Sequence, residues 1–320
     1  MTMRKAKEPS TKVKRKFRRS DLELTILATP TFIWYILFCF LPMFGIVIAF
    51  KSFKFQAGHG FIYNLFNSEW SGLRNFEFLF KSNDVWIILR NTLGYNFLFI
   101  IINVLIPATL AVLINQLRSK RVAKITQTAM FMPYFMSWVV VTFFVFSFLS
   151  YDVGLANRIL NNMGMESTQW YLESKYWPYI LIFLNTWKNL GYSMVVYLAS
   201  ITSIDTSLYE AALIDGATKR QQMRYITFPL LRSTMIMMFL LNIGRIFYSD
   251  FGLFYQVPRG SASLYNVTET LDVYIYRALG NTTNISLPSA AAFIQSVAGC
   301  LTILLCNWIV KKVDEESAII

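Results

Sequence analysis

The sequence predicts an all-α membrane protein with six transmembrane helices and both termini on the cytoplasmic side. Three observations carry that expectation. The 320-residue chain is 55% hydrophobic and 17% aromatic, well outside the composition of a soluble globular domain. Six apolar runs approach or exceed the roughly 20 residues that cross about 30 Å of hydrocarbon. Lys and Arg are concentrated in alternate, short segments between those runs.

Residues 1–23 form a basic tail with nine Lys or Arg between Arg4 and Arg19. The net charge of +12 could point to nucleic acid, but its placement beside apolar runs points to membrane topology instead. The first span, Leu24–Phe50 with Pro30 and Pro42 near its ends, is too long for a signal-peptide core. Five more follow near Val85–Ile114, Gln127–Leu149, Trp177–Ile201, Leu230–Ser249 and Pro288–Val310, which makes 24–313 one six-helix membrane domain. With the amino terminus inside, 19 of the 30 basic residues fall inside: the tail, the Arg118–Lys124 loop, the Lys219–Arg232 segment and Lys311–Lys312. Segments 51–84, 150–176 and 250–287 then lie outside, and 314–320 is a cytoplasmic tail. Within the last outer segment Leu271, Tyr274, Ile275 and Ala278 recur at helical spacing, predicting an amphipathic helix over Thr270–Leu279.

The inside loop 203–229 is the most informative stretch. Ser207 with Glu210 three residues on has the capping-box pattern, so a helix is expected to start at Ser207. Leu208, Ala211 and Ala212 share one face, and the alanines keep it low enough for close approach. Gly216 suits the left-handed residue that closes a helix, and Pro229 is expected to mark the next boundary. Glu210, Ala211, Ala212, Gly216, Ile226 and Pro229 stand at the spacings of the Glu-Ala-Ala loop of binding-protein-dependent ABC importer permeases, which the chain resembles. Asp215-Gly216-Ala217 and Ile204-Asp205 resemble the carbohydrate branch of that family, although Thr206 stands where many relatives carry proline. The stretch from Phe251 to Arg259, with the outer helix, resembles a subgroup that imports oligosaccharides or polysaccharide fragments.

That resemblance implies a type I (MetI-like) fold in the cell membrane. It also implies a second permease subunit, here a hetero-partner, and separate cytoplasmic ATPase subunits that receive the 203–229 loop as a coupling helix. An extracellular substrate-binding protein would deliver the carbohydrate. ATP and Mg would be bound by the partner ATPase, with no cofactor in this chain and no nucleic acid.

The residues agree with a chain that borrows its driving force. No Gly-x-x-x-x-Gly-Lys-Ser/Thr string occurs, and no nucleophile has a plausible base, so no catalytic role is expected. His59 is the single histidine, and Cys39, Cys300 and Cys306 have neither metal-ligand nor disulfide spacing, so no metal site is expected. Polar side chains inside spans are costly and therefore informative. Asn185, Lys188, Asn189 and Tyr192 share one helical face beside Trp187, and Asn242, Arg245 and Ser249 are expected to form a similar line on the fifth span. Two readings stand. One is a sugar path in which Asn, Lys and Arg donate to hydroxyls and Trp and Tyr offer flat faces. The other is glue between helices, with Arg245 paired to Asp250 or reaching outward.

Two other classes are weighed against the importer. An ion-coupled secondary transporter would show inverted repeats and intramembrane carboxylates, which the spans lack. A membrane scaffold would dock a partner through the loop without translocating anything.

Overall fold

The computed structural model describes residues 19–56, 58–81, 84–281 and 284–313. Most of the basic tail (1–18) and the 314–320 tail lie outside the described residues. The described chain is helical apart from loops and a two-residue antiparallel ribbon that pairs β1 (Lys51–Ser52) with β2 (Glu69–Trp70).

Two units are distinguished, one ending at Val47 and one beginning at Ile48. The first is a single helical run in which α1 (Arg19–Tyr35) passes into a π-helix, Ile36–Phe40, and then a 3-10 segment from Leu41. The Leu41 amide reaches the Ile36 carbonyl, five residues back, and the next residue is Pro42. Proline has no amide for the usual i→i−4 bond, so one wide turn before it absorbs the defect without ending the helix.

The second unit continues with α2 (Phe61–Asn67), α3 (Arg74–Lys81), α4 (Asp84–Asn115), α5 (Lys120–Phe131), α6 (Trp138–Leu149), α7 (Leu155–Asn162) and α8 (Trp177–Thr202). It then runs through α9 (Thr206–Ile214), α10 (Lys219–Gln222), α11 (Phe228–Ile243), α12 (Tyr265–Thr268), α13 (Leu271–Asn281) and α14 (Ser286–Val313). Among the described residues four helical runs are long and apolar enough to cross a membrane: Leu22–Phe50, Asp84–Asn115, Lys219–Ile243 and Ser286–Lys312. A bent pair, Lys120–Phe135 with Trp138–Leu149, makes a fifth. α8 has the length, 26 residues or about 39 Å, but its internal asparagines and lysine make it less apolar.

α4 and α8 form the centre and run parallel. Tyr95 and Phe99 of α4 pack in one cluster with Trp177, Leu181 and Leu184 of α8, and Ala108, Ala111 and Val112 pack in another with Met194, Tyr197 and Ile201. The starts of both helices thus lie at one end of the pair, and the loops after Asn115 and Thr202 lie at the other. Gly191 sets one approach to α8, because a Cβ there would stand 2.3 Å from the Met130 carbonyl oxygen of α5. At the opposite end from α9, α13 docks through Leu271, Tyr274 and Ile275 onto Ile88, Phe76 and Ala290–Ala291, as its periodicity predicts.

The spans differ from expectation in two places. The third, expected to be continuous over Gln127–Leu149, is broken at Met136–Ser137, and its halves meet at 98°. Pro133 sits in a 3-10 turn at the break and Ser137 caps the new helix by accepting from the Val140 amide, local signals that the apolar run masks. The fifth, expected over Leu230–Ser249, instead runs from Lys219 and ends at Ile243. Pro229 marks no boundary: Phe228 N–H reaches Met223 O through a π-turn, Met223–Thr227, repeating the device seen before Pro42.

Candidate functional site

α9 stands off the body of the unit and buries none of its residues. Its amino-terminal cap is Asp205, whose Oδ1 accepts from Ser207 N–H at 2.9 Å. Ser207 therefore lies inside the helix rather than capping it, and Glu210 is exposed and free of any capping role. The carboxylate two residues earlier takes the capping position in place of the serine hydroxyl. Hydrogen bonds from Ser207 hold the exposed Asp205 carboxyl below the usual carboxylate range. The capping box occurs instead on α10, between Thr218 and Gln221.

The carboxyl end of α9 is a complete Schellman closure. Ala217 N–H donates to Ala212 O at 2.9 Å and Gly216 N–H to Leu213 O at 3.1 Å, with Gly216 at φ +77°. Nothing lies within 4 Å of the position a Cβ would take, so the glycine answers to backbone conformation alone. The result is a short rigid helix presenting Glu210, Ala211, Asp215 and three apolar side chains, Leu208 (45% exposed), Leu213 (69%) and Ile214 (87%). The Tyr209 hydroxyl meets the Thr227 hydroxyl at 3.0 Å, fixing α9 to the helical run that carries Ile226 and Pro229.

The polar face of α8 does not stay together as one surface. Asn185 is buried and accepts from Asn103 Nδ2 at 3.0 Å, while Asn189 donates to Asn185 O at 3.0 Å. Lys188 is buried too, and its ammonium donates to the carbonyls of Pro133, Tyr134 (3.0 Å) and Met136, with Trp138 in cation–π range at 5.3 Å. The Tyr134 and Met136 carbonyls lie at the break in the third span, and the Pro133 carbonyl also accepts from the Met136 amide, so here Lys188 takes the arrangement of the helix-glue reading. Tyr192 is exposed and stacks on Tyr134, and Trp187 lines an apolar groove of about 790 Å³ between α6 and α8.

Asn242, Arg245 and Ser249 do not form a line, because α11 stops at Ile243 and Gly244–Asp250 is non-helical. Asn242 bonds back to Met238 O at 2.7 Å. Asp250 is not Arg245's partner: it accepts from Trp138 Nε1 at 2.6 Å and from Gly252 N–H at 2.9 Å, capping the next turn. Arg245 is exposed at a cleft of about 510 Å³ shared with Tyr248, Ser249, Asp250 and Asp272, and forms no ion pair among the described residues. The irregular backbone is satisfied by side chains. Asn96 donates to the Ile246 and Tyr248 carbonyls, Asp272 accepts from the Ser249 amide and hydroxyl, and Gln295 bridges Phe247 O and Asp272. Non-helical backbone at membrane depth needs such support or a polar cavity beside it, and this segment has both the side-chain bonds and the polar cleft at Arg245. Asn96, Asn103, Asp272 and Gln295 were not singled out from sequence; three of them were visible as isolated amides inside apolar runs.

The sequence model of the family described as "binding-protein-dependent transport system inner membrane component" matches residues 103–313. The polygalacturonan/rhamnogalacturonan transport system permease protein YteP of Bacillus subtilis (strain 168) is 33% identical over 293 residues, 92% of this chain and 89% of that protein. Protein LplB of the same organism is 30% identical over 298 residues, 93% and 91% of the two chains. A crystal structure of a bacterial ABC transporter involved in import of the acidic polysaccharide alginate superimposes with TM-score 0.81 at 29% identity, covering 92% of this chain and 97% of that one. A second structure of the alginate ABC transporter, in complex with an alginate pentasaccharide-bound periplasmic protein, gives TM-score 0.79. The chain belongs to the family of inner-membrane components of binding-protein-dependent transport systems. Its fold is the MetI-like permease fold, and the protein is a multi-pass component of the cytoplasmic membrane.

Proposed function

We propose that this chain is the transmembrane half-channel of an ATP-driven importer of oligosaccharides. It works with a second, different permease, cytoplasmic ATPase subunits that hold ATP and Mg, and an extracellular binding protein. The spans cross six times with both termini inside. α9 is the coupling helix, with Glu210, Ala211, Ala212, Asp215, Gly216 and Ala217 at the ATPase cleft and Ile226 and Pro229 in the helix that relays its motion. The observation that carries the reading is α9 itself. A buttressed helix with Leu213 and Ile214 largely exposed, at the end of the α4–α8 pair where Lys120, Arg121, Lys219 and Arg220 gather, calls for a protein partner on the positively charged face.

The path itself runs along the outer half of the fifth span and the exposed side of α8, where Arg245 opens a polar cleft and Asn189 and Tyr192 reach away from the packed centre. Asn185 and Lys188 hold the helices that form the wall, Asn242 turns back onto its own helix, and Trp187 faces the apolar groove where a partner permease or lipid lies. The polysaccharide-linked relatives support a carbohydrate substrate. The test is reconstitution of the complete complex with its binding protein in proteoliposomes. ATP-dependent saccharide uptake is expected. Uptake driven by an ion gradient without ATP would favour a secondary transporter, and ATPase stimulation without uptake would favour a scaffold.

A further inference from the structure

Three helical segments among the described residues end in the same backbone motif, and two of them, α7 at Gly164 and α9 at Gly216, use glycine for it. At the end of α9 the left-handed position is Gly216. At the end of the helical turn Phe251–Val257 the same pair of bonds closes the motif: Gly260 N–H donates to Tyr255 O at 3.1 Å and Arg259 N–H to Gln256 O at 2.9 Å. Here the left-handed residue is Arg259, at φ +57°, the one non-glycine residue with positive φ among the described residues. An arginine at this position is strained where glycine would be relaxed, so the side chain must be needed for something the backbone motif does not require.

That side chain lies exposed at the mouth of a cavity of about 590 Å³, a size suited to a small ligand. Its guanidinium stacks over the Phe146 ring at 4.0 Å, which fixes the plane and leaves the edge donors directed away from the ring. It forms no ion pair among the described residues. Around it the cavity carries exposed Tyr151 and half-buried Trp170, with Asp152 and Gln169 as further hydrogen-bonding groups. The Trp170 indole is held by Asn157 Oδ1 at 3.0 Å, so its ring is a fixed surface. Beside it the Tyr171 hydroxyl is buried with no hydrogen-bond partner, a cost that an empty surface loop has no reason to keep. The cavity sits where α6 ends and α8 is about to begin, opposite the end that carries α9.

We infer that this cavity is a sugar-binding subsite at the outer mouth of the permease, taking one pyranose unit of the incoming oligosaccharide. Arg259 grips the oxygens of two adjacent hydroxyls, Tyr151 or Trp170 covers the apolar C–H face of the ring, and Asp152 and Gln169 take the remaining hydroxyls. The requirements of a pyranose are met together here: flat apolar faces, planar hydrogen-bonding groups and a preset orientation. A protein-docking patch would need none of the strain at residue 259. The inference rests on the oligosaccharide reading above and adds where the substrate is first held by this chain.

Arg259→Gly is an informative variant because it removes the guanidinium while relaxing the backbone. The complete permease–ATPase complex in nanodiscs, without binding protein, is titrated with three probes: an alginate pentasaccharide, an oligogalacturonide and a maltooligosaccharide. The wild-type complex is expected to bind the probe that it imports in proteoliposomes supplied with binding protein. Arg259→Gly and Tyr151→Ala should each weaken that binding by about tenfold or more. Melting temperature should be unchanged or higher in Arg259→Gly. Import of a probe with binding unchanged in both variants overturns this inference and leaves the importer reading standing. A raised half-saturating concentration of binding protein with saccharide binding unchanged makes the cavity a protein-docking surface and also overturns it. Absence of import for all three probes in wild type overturns the oligosaccharide reading itself, and this inference with it.

Discussion

The Trp138 indole donates to Asp250 Oδ2 at 2.6 Å, and in doing so ties the break in the third span to the break at the end of the fifth. Trp138 is the first residue of the helix after Met136–Ser137, and Asp250 caps the turn that follows the non-helical stretch Gly244–Asp250. Gly252 makes the contact possible, since a Cβ there would stand 2.2 Å from the Trp138 ring. Two joints in different spans are thereby held as one. Trp138→Phe and Asp250→Asn should each lower the melting temperature of the purified complex, and the double variant should lose less than the sum. A coupling energy within about 0.5–3 kcal/mol is expected from a double-mutant cycle. Strict additivity would show that the two breaks are independent.

Gly216 is needed for φ +77° and not for space, which separates its substitutions by conformation. Gly216→Asn, a residue that tolerates the left-handed region, should retain the ATPase through purification. Gly216→Val should lose most of it while still inserting and pairing with the second permease. Equal retention of the ATPase by both variants would remove α9 from the coupling role.

Glu210 is exposed and uninvolved in capping, so Glu210→Ala should leave thermal stability unchanged and weaken ATPase retention or coupled uptake. Asp205 behaves the other way. Its pKa is lowered in the folded loop, so its contribution is present above the ordinary value near 3.8 and is lost as pH falls through the lowered one. The protection of the amides at the start of α9, relative to their intrinsic exchange rate at each pH, should therefore fall at acid pH in wild type, and should be low at all pH values in Asp205→Ala. A protected, pH-independent start in Asp205→Ala would show that the cap lies elsewhere.

Lys188 and Asn189, adjacent on α8, should respond differently to leucine. Lys188→Leu removes the donor to the Tyr134 and Met136 carbonyls at the break, while the Pro133 carbonyl keeps the Met136 amide, and each buried carbonyl left unpaired costs on the order of 1–3 kcal/mol. Loss of folded complex is the expected result, with partial rescue in Lys188→Arg. Asn189→Leu gives up only a bond to its own helix, so the complex should assemble, with uptake reduced if the path passes it. Fluorescence-detected size exclusion with an uptake assay separates the two, and an intact, stable Lys188→Leu complex would contradict the clamp.

Topology is tested by labelling single introduced thiols from outside, in a background without the native cysteines. Positions beside His59, Glu166 and Arg259 should react, and those beside Lys120 and Lys219 should not. Labelling at Lys219 from outside would overturn the orientation on which the coupling role depends.

Much of this protein is determined by its sequence alone. Apolar run lengths and the placement of Lys and Arg predict helices near the observed ones, because hydrocarbon thickness and the cost of moving charge across it act on composition directly. Ser207 to Ala217 reads as a short helix with a glycine closure, and Gly216 takes the left-handed position, because those are local backbone requirements. The period of Leu271, Tyr274 and Ile275 located α13 and its docking face. Tertiary structure decided what local pattern could not. Pro229 reads as a stop but is carried inside a helix, since a π-turn moves the Phe228 amide to Met223 and leaves no bond for the proline to break. The third span reads as continuous because every residue at its break is apolar or small, and what sequence does not show is that Lys188, 52 residues later, donates hydrogen bonds to the carbonyls there. Ser207 loses the cap to Asp205 by a competition that turns on which oxygen reaches the amide. The polar face of α8 reads as one surface, yet packing against α4 and the broken span divides it: a pattern of spacing says which residues share a side, and only the neighbouring helices say what that side meets.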